Sequence, residues 1–196
     1  MTVTWTEHRF SGGALALDTA NTVVMRGDAR GFDRFDDVSE IARFAAAASR
    51  FRRDELDERT LLVPEPVLSA PAVLELREAI DALFRADAAG ERRPAGALPR
   101  LLRACANALD GADEIPAGGD RPDSVPFLAA VANSALALLP EQKSGRIRIC
   151  GNCGWLFVDR SRNASRLWCD MAVCGNRQKA RRHYRRRRTG AETDHA

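Results

Sequence analysis

The sequence predicts an α+β chain in two parts, a helix-rich mixed N-terminal domain over residues 1–140 and a small cysteine-held module over residues 145–188. Three observations predict it. Apolar residues recur at helical spacing through most of the N-terminal part. Four of the five cysteines fall between positions 150 and 174. Charge divides near Lys143: residues 1–143 carry 17 basic and 23 acidic side chains, and residues 144–196 carry 13 and 4. A hydrophobic content of 45% over 196 residues is that of a folded chain.

The opening "GGALALDTANTVVMRG" contains two apolar, β-prone pieces, "ALAL" and "TVVM", and reads as a strand or two around a short turn. "DVSEIARFAAAASRF" reads as a helix, with Asp37 as N-cap, Glu40 three residues on, and Ile41, Phe44, Ala45, Ala48 and Phe51 on one face. "LLVPEPVLSAP" is a Pro-punctuated connector whose Ser69 caps the next helix. That helix carries Val73, Leu76, Ile80, Leu83 and Phe84 and ends near Gly90. A third helix follows from Leu98, Leu101, Leu102, Cys105, Ala106 and Leu109, then a loop, "DGADEIPAGGDRPD". A fourth, "FLAAVANSALALL", is apolar almost all round and stops at Pro140, which places it centrally in the core. There is no internal repeat, and the alternation of a doubly wound parallel sheet is absent.

The longest uncharged stretch, "SVPFLAAVANSALALLP", includes two Pro, an Asn and two Ser, and is too short and too polar for a membrane span. "MTVTWTEHRFSGG" lacks a basic start followed by an apolar run, so the expectation is a cytoplasmic protein with no membrane partner. In that compartment clustered cysteines point to metal or redox chemistry rather than disulfides.

Cys150, Cys153, Cys169 and Cys174 form a C-x-x-C knuckle, a longer gap over 154–168, and C-x-x-x-x-C. Their number and spacing suit a four-thiolate structural zinc site, one ion per chain. Gly151 and Gly154 supply backbone freedom at the first knuckle. "GWLFV" and "SRLWC" read as the two strands of a hairpin joined by "DRSRNA". A module of about 40 residues buries too little apolar surface to fold alone, so metal binding supplies much of its folding free energy. Cys105, on the apolar face of its helix, reads as a buried small hydrophobe.

From Cys174 onward "GNRQKARRHYRRRR" reads as a helix anchored at the last ligand, and knuckle, hairpin and helix in that order describe a treble-clef-like zinc finger. Arg177, Arg181, Arg185 and Arg188 line one face, with Lys179, Arg182 and Arg186 alongside. Ala180, His183 and Tyr184 turn toward Trp155, Phe157 and Trp168. Eight of the twelve residues from Arg177 are basic and none is acidic, which suits a polyanion. Arg177, Gln178 and Arg181 are the candidates for base edges. Duplex DNA is the first expectation. RNA or the ribosome, and an acidic protein surface, are the alternatives. Bare Trp155, Trp168 and Tyr184 would favour RNA. Residues 189–196 read as a disordered tail, and a single finger's small interface makes a homodimer the expected route to specificity.

"CGNR" at 174–177, with the upstream C-x-x-C, resembles the CGNR zinc finger, and "GGALALDTANTV" is similar to the start of the ABATE domain that precedes it in bacterial proteins. The resemblance covers essentially the whole chain. It implies a mixed α/β N-terminal domain, a treble-clef-like finger and a role as a stress-related transcription regulator.

"LDTANT" supports two readings. Its polar side chains bond their own turn, or Asp18, Asn21 and Arg26 supply polar contacts in a small-molecule effector pocket. The sequence holds no nucleophile with a paired base, Gly-rich phosphate loop or His/carboxylate metal triad, and four thiolates leave no open coordination position, so no enzyme activity is expected.

Overall fold

Aromatic packing around Phe44 organises the helical part of the chain: Trp5, Phe10, Phe35 and Phe127 all place their ring centroids within 5.8 Å of it. The structure is a computed structural model and describes residues 2–110, 123–143, 145–181 and 184. A 3-10 turn at Glu7–Phe10 leads into α1 (Leu15–Ala20), strands β1 (Val23–Val24) and β2 (Phe32–Asp33), and α2 (Ser39–Phe51). There follow β3 (Thr60–Leu62), α3 (Pro66–Ala88), α4 (Ala97–Leu109), β4 (Ser124–Pro126), α5 (Phe127–Ala137) and α6 (Leu139–Lys143). β5 (Ile147–Ile149) and β6 (Leu156–Val158) come next, and a π-helical turn, Met171–Gly175, passes into α-helix over 176–181. The described strands form three two-stranded sheets: β1 and β2 antiparallel, β3 and β4 parallel, β5 and β6 antiparallel with Arg148 opposite Phe157. The class is therefore the α+β one read from the sequence. Among the described residues no helix is long and apolar enough to cross a membrane.

The helices follow their apolar spacing. Ile41, Phe44, Ala45 and Ala48 are buried along α2, and Val73, Leu76, Ile80, Leu83 and Phe84 along α3. α5 is buried on most of its circumference and packs on both α1 and α4, as its uniformly apolar sequence requires.

Several local expectations are corrected. "ALAL" is helical: all six residues of α1 are buried, and a short element surrounded by protein carries no period to separate helix from strand. The N-cap position of α2 falls on Val38 rather than Asp37, although Asp37 Oδ1 accepts from the Ser39 backbone N–H at 3.0 Å. Glu40, however, turns away from that cap and accepts from the Val3 N–H and Trp5 Nε1, fastening the N-terminal segment over the core. Ser69 lies inside α3, its hydroxyl donating to the Glu65 carbonyl, because the helix starts at Pro66, whose missing N–H costs nothing at the first helical position. Pro140 begins no break. α5 ends at Ala137, and Pro140 sits in the first turn of α6, where the same tolerance applies. The loop read at 110–123 falls on residues 111–122, outside the described residues, as do His195 and the tail over 189–196.

β6 joins the two parts of the chain. All three of its residues are buried, and the pleat sends Leu156 and Val158 into the helical core while Phe157 packs with the cysteines. Asn21, just past α1, donates to the Leu156 carbonyl and accepts from the Leu156 N–H, both at 2.9 Å. The Val158 N–H donates to the Gly12 carbonyl at 2.8 Å. Beneath this seam Asp18 is fully buried, accepting from the Gly12 N–H at 2.8 Å and from Arg52 Nε at 2.5 Å. Burial pushes the Asp18 carboxyl up from 3.8 to about 6, against the opposing pull of Arg52.

Asn21→Ala leaves both polar groups of Leu156 buried and unpaired. The expected cost is about 2–4 kcal/mol in urea unfolding, and a loss below about 0.5 kcal/mol would contradict the seam. Because the folded carboxyl of Asp18 titrates above its unfolded value, its contribution to stability is full below pH 3.8 and is lost as pH rises through about 6. Wild-type stability minus that of Asp18→Asn should therefore fall between pH 4.5 and 7.5, by on the order of 2 kcal/mol. A difference that is flat with pH would show that Arg52 keeps the carboxylate ionised throughout.

Candidate metal centre and adjoining basic helix

The knuckle between β5 and β6 is closed by two backbone hydrogen bonds, Cys150 N–H to the Trp155 carbonyl and Gly154 N–H to the Cys150 carbonyl. Gly154 has φ +72°, the left-handed conformation that glycine adopts freely. Gly151 serves space instead: a Cβ there would stand 2.9 Å from the Trp168 ring. The expected hairpin is corrected. "GWLFV" supplies β6, but it pairs with β5 upstream, across the knuckle, and "SRLWC" joins no ladder. The reason lies in Asp159, which is fully buried and accepts from the Ser161 and Arg166 N–H groups, folding "DRSRNA" into a tight loop instead of a strand connection.

Asp170 then accepts from the Ala172 and Val173 N–H groups and caps the π-helical turn that carries Cys174 inward. The four sulfurs converge, all within 4.8 Å of one another. Cys169 Sγ lies 3.7 Å from both Cys153 Sγ and Cys174 Sγ. A tetrahedron with metal–sulfur bonds of about 2.3 Å has edges of about 3.8 Å, so the spacing fits a four-thiolate cation site with nothing left open for a substrate. Hydrogen bonds from Cys153 and Cys169 hold the Cys150 thiol far below its usual range. The same crowding raises Cys153 and pushes Cys169 up to about 12. A divalent cation relieves that crowding by replacing the shared protons. Asn152 Nδ2 donates to Cys174 Sγ at 3.3 Å, and Gln178 Nε2 in turn donates to Asn152 Oδ1. Cys105 is buried in α4, well apart from this set, and burial raises its thiol to about 11.

Three contacts that sequence reasoning missed tie the centre to the helical part. His8 Nδ1 meets Asp170 Oδ2 at 2.8 Å, and its ring stacks on Trp155 with centroids 5.5 Å apart. Burial raises the Asp170 carboxyl, but the His8 and backbone hydrogen bonds prevail and hold it below the usual carboxylate range. Arg85 of α3 donates to the Gly154 carbonyl at 2.8 Å. Nothing in the local sequence marks these residues, since their partners lie 162 and 69 positions away.

On the helix that follows, Arg177, Lys179 and Arg181 are exposed, while Gln178 is partly buried against the knuckle. Arg182, His183, Arg185, Arg186 and Arg188 lie outside the described residues. Ala180 and Tyr184 are exposed, while Trp155 is covered by His8 and Arg34 and the turn at 171–175 fills the space beside Trp168. Trp155 is buried, Trp168 partly so, and Tyr184 is 67% exposed.

Asp18, Asn21 and Arg26 direct their side-chain hydrogen bonds within the protein. Their hydrogen bonds go to Gly12 and Arg52, to Leu156, and to Glu78 respectively, so each holds the protein to itself.

A helix-rich domain sharing a strand with a four-cysteine metal centre defines a protein of the zinc-finger class. More particularly, residues 13–142 match the ABATE family, described as "Putative stress-induced transcription regulator", and the chain belongs to that family. Residues 146–187 match the CGNR zinc finger. A comparison with curated proteins finds no match.

Cys169→Ser removes the sulfur that contacts two others. Metal content measured after desalting should drop to near zero in this variant and be unaffected in Cys105→Ser; retention of metal by Cys169→Ser would remove the assigned centre.

Proposed function

We propose that this protein is a DNA-binding transcription regulator whose centre holds one structural zinc ion, with the basic helix as the docking element and the N-terminal domain as the seat of a small effector. The observation that carries the reading is the exposure of Arg177, Lys179 and Arg181 on a helix rooted at Cys174. None of the three has an ion-pair partner among the described residues. Guanidinium and ammonium groups held without counter-charge on a rigid element meet phosphates at little reorganisation cost. The zinc would hold shape alone, since four thiolates complete its coordination. A second copy of the chain would extend the short contact one finger can make.

Exposure of Tyr184 favours a second reading, RNA, in which that ring stacks on an unpaired base. Burial of Trp155 supports the duplex instead, because the largest ring near the helix is then occupied within the protein.

Fluorescence anisotropy of the metal-loaded chain on random duplex DNA and single-stranded RNA, across a salt series, tests both. With roughly five phosphate contacts, the log–log slope for duplex should be about −4 to −5, and binding should vanish after chelation. Tighter binding to RNA, reduced by Tyr184→Ala, would transfer the assignment. No binding to either at low salt would end it.

A further inference from the structure

A cleft of about 740 Å³ opens between the Glu7–Phe10 turn, the β1–β2 hairpin, the cysteine knuckle and the start of the basic helix. Its lining contains five arginines and a histidine and no acidic residue. Several arginines elsewhere are compensated: Arg26, Arg52, Arg77, Arg85 and Arg100 each have a carboxylate oxygen within 2.8 Å. In the cleft only Arg30 is paired, with Asp28. Arg9, Arg34, Arg177 and Arg181 have no ion pair among the described residues.

Arg34 is the telling member. It is 8% exposed, and the one side-chain hydrogen bond it makes among the described residues runs from Nη1 to the Asn21 carbonyl at 3.1 Å. Its guanidinium lies 5.2 Å from the Trp155 ring centroid and 5.6 Å from that of Phe32, so aromatic faces soften its burial without neutralising it. Trp155 adds an independent sign: its Nε1–H is buried with no hydrogen-bond partner. A cationic floor, an unpaired buried donor and apolar walls from Val24, Met25 and Phe32 suit an acceptor-rich ligand.

We propose that this cleft binds a small organic anion, a planar apolar body bearing a phosphate or carboxylate, with Arg34 and Trp155 at its floor and Arg9, Arg177 and Arg181 around its mouth. A bare inorganic ion would leave the apolar walls wet, and a duplex backbone is too wide to reach a side chain as buried as Arg34. The site therefore differs from the helix surface facing nucleic acid, although Arg177 and Arg181 belong to both. It rests on the effector-sensing half of the proposed function and identifies the effector's chemistry.

Calorimetry on the full, metal-loaded chain without nucleic acid tests it, so that failure here leaves the duplex reading standing and failure there leaves this one. The probes are adenosine monophosphate, benzoate, adenosine and inorganic phosphate at low salt in an uncharged buffer. One of the two organic anions should saturate at least tenfold more tightly than adenosine and inorganic phosphate, and whichever wins identifies the head group. Arg34→Gln should weaken it tenfold or more and Arg9→Gln at least threefold, while Arg53→Gln, remote and paired with Glu58, leaves it unchanged. If thermal melting shows that Arg34→Gln does not fold, Arg9→Gln decides. No saturable heat from either organic anion, equal affinity for inorganic phosphate, or binding indifferent to a folded Arg34→Gln or to Arg9→Gln overturns the proposal.

Discussion

The arrangement depends on a three-residue strand that two cores must share. In β6, Leu156 and Val158 complete the helical core, and Phe157 between them packs against Cys150, Cys169 and Cys174. A shift of one residue in register would exchange the faces, putting a phenylalanine where α1 leaves room for branched aliphatics. The double hydrogen bond from Asn21 and the Gly12 carbonyl fix that register from the helical side. The cysteine turns fix it from the other. Neither part has a closed hydrophobic boundary without the strand, so the metal centre is a continuation of the core as much as an appended module.

Electrostatics follow a similar division. Much of the acidic charge of the helical part is consumed internally: Asp33 takes Arg77 through two contacts of 2.7 Å, Asp18 takes Arg52, and Glu78 takes Arg26. Buried pairs of this kind contribute little net stability after desolvation but hold elements in one relative placement. With its carboxylates so committed, the helical part has less free negative charge to mask the basic helix than its composition suggests. Arg9, Arg34, Arg177 and Arg181, which have no ion pair among the described residues, gather at the edge where the two parts meet.

What was legible in the sequence is what depends on local spacing. Ile41 to Ala48 and Val73 to Phe84 announced their helices because one face repeats every three or four residues, and the cysteines announced their centre because a metal needs ligands at short, fixed intervals. Leu15 to Ala20 misled because a fully buried helix of six residues has no polar face to reveal its period. "SRLWC" misled because strand-like composition says nothing about a partner, and Asp159 directs the chain elsewhere. Asp18 and Asn21 meet Arg52 and Leu156, partners invisible without the fold. His8, Arg34 and Arg85 carry no motif at all; their significance comes from what folding sets beside them.

The contact between α1 and β6 also has a consequence for biosynthesis. Asn21 and Leu156 are separated by 135 positions, and a ribosome adding about 5–20 residues per second takes on the order of 10 s to make that interval. During it the apolar faces of α1 lack one wall, and the Gly12 and Asn21 groups that will meet β6 bond to water. Cys150, Cys153, Cys169 and Cys174 emerge close to the strand in time. Closure of the core and capture of the cation thus fall together once β6 and the cysteines beside it have emerged, and a shortage of metal would be felt by the nascent helical domain as well as by the finger.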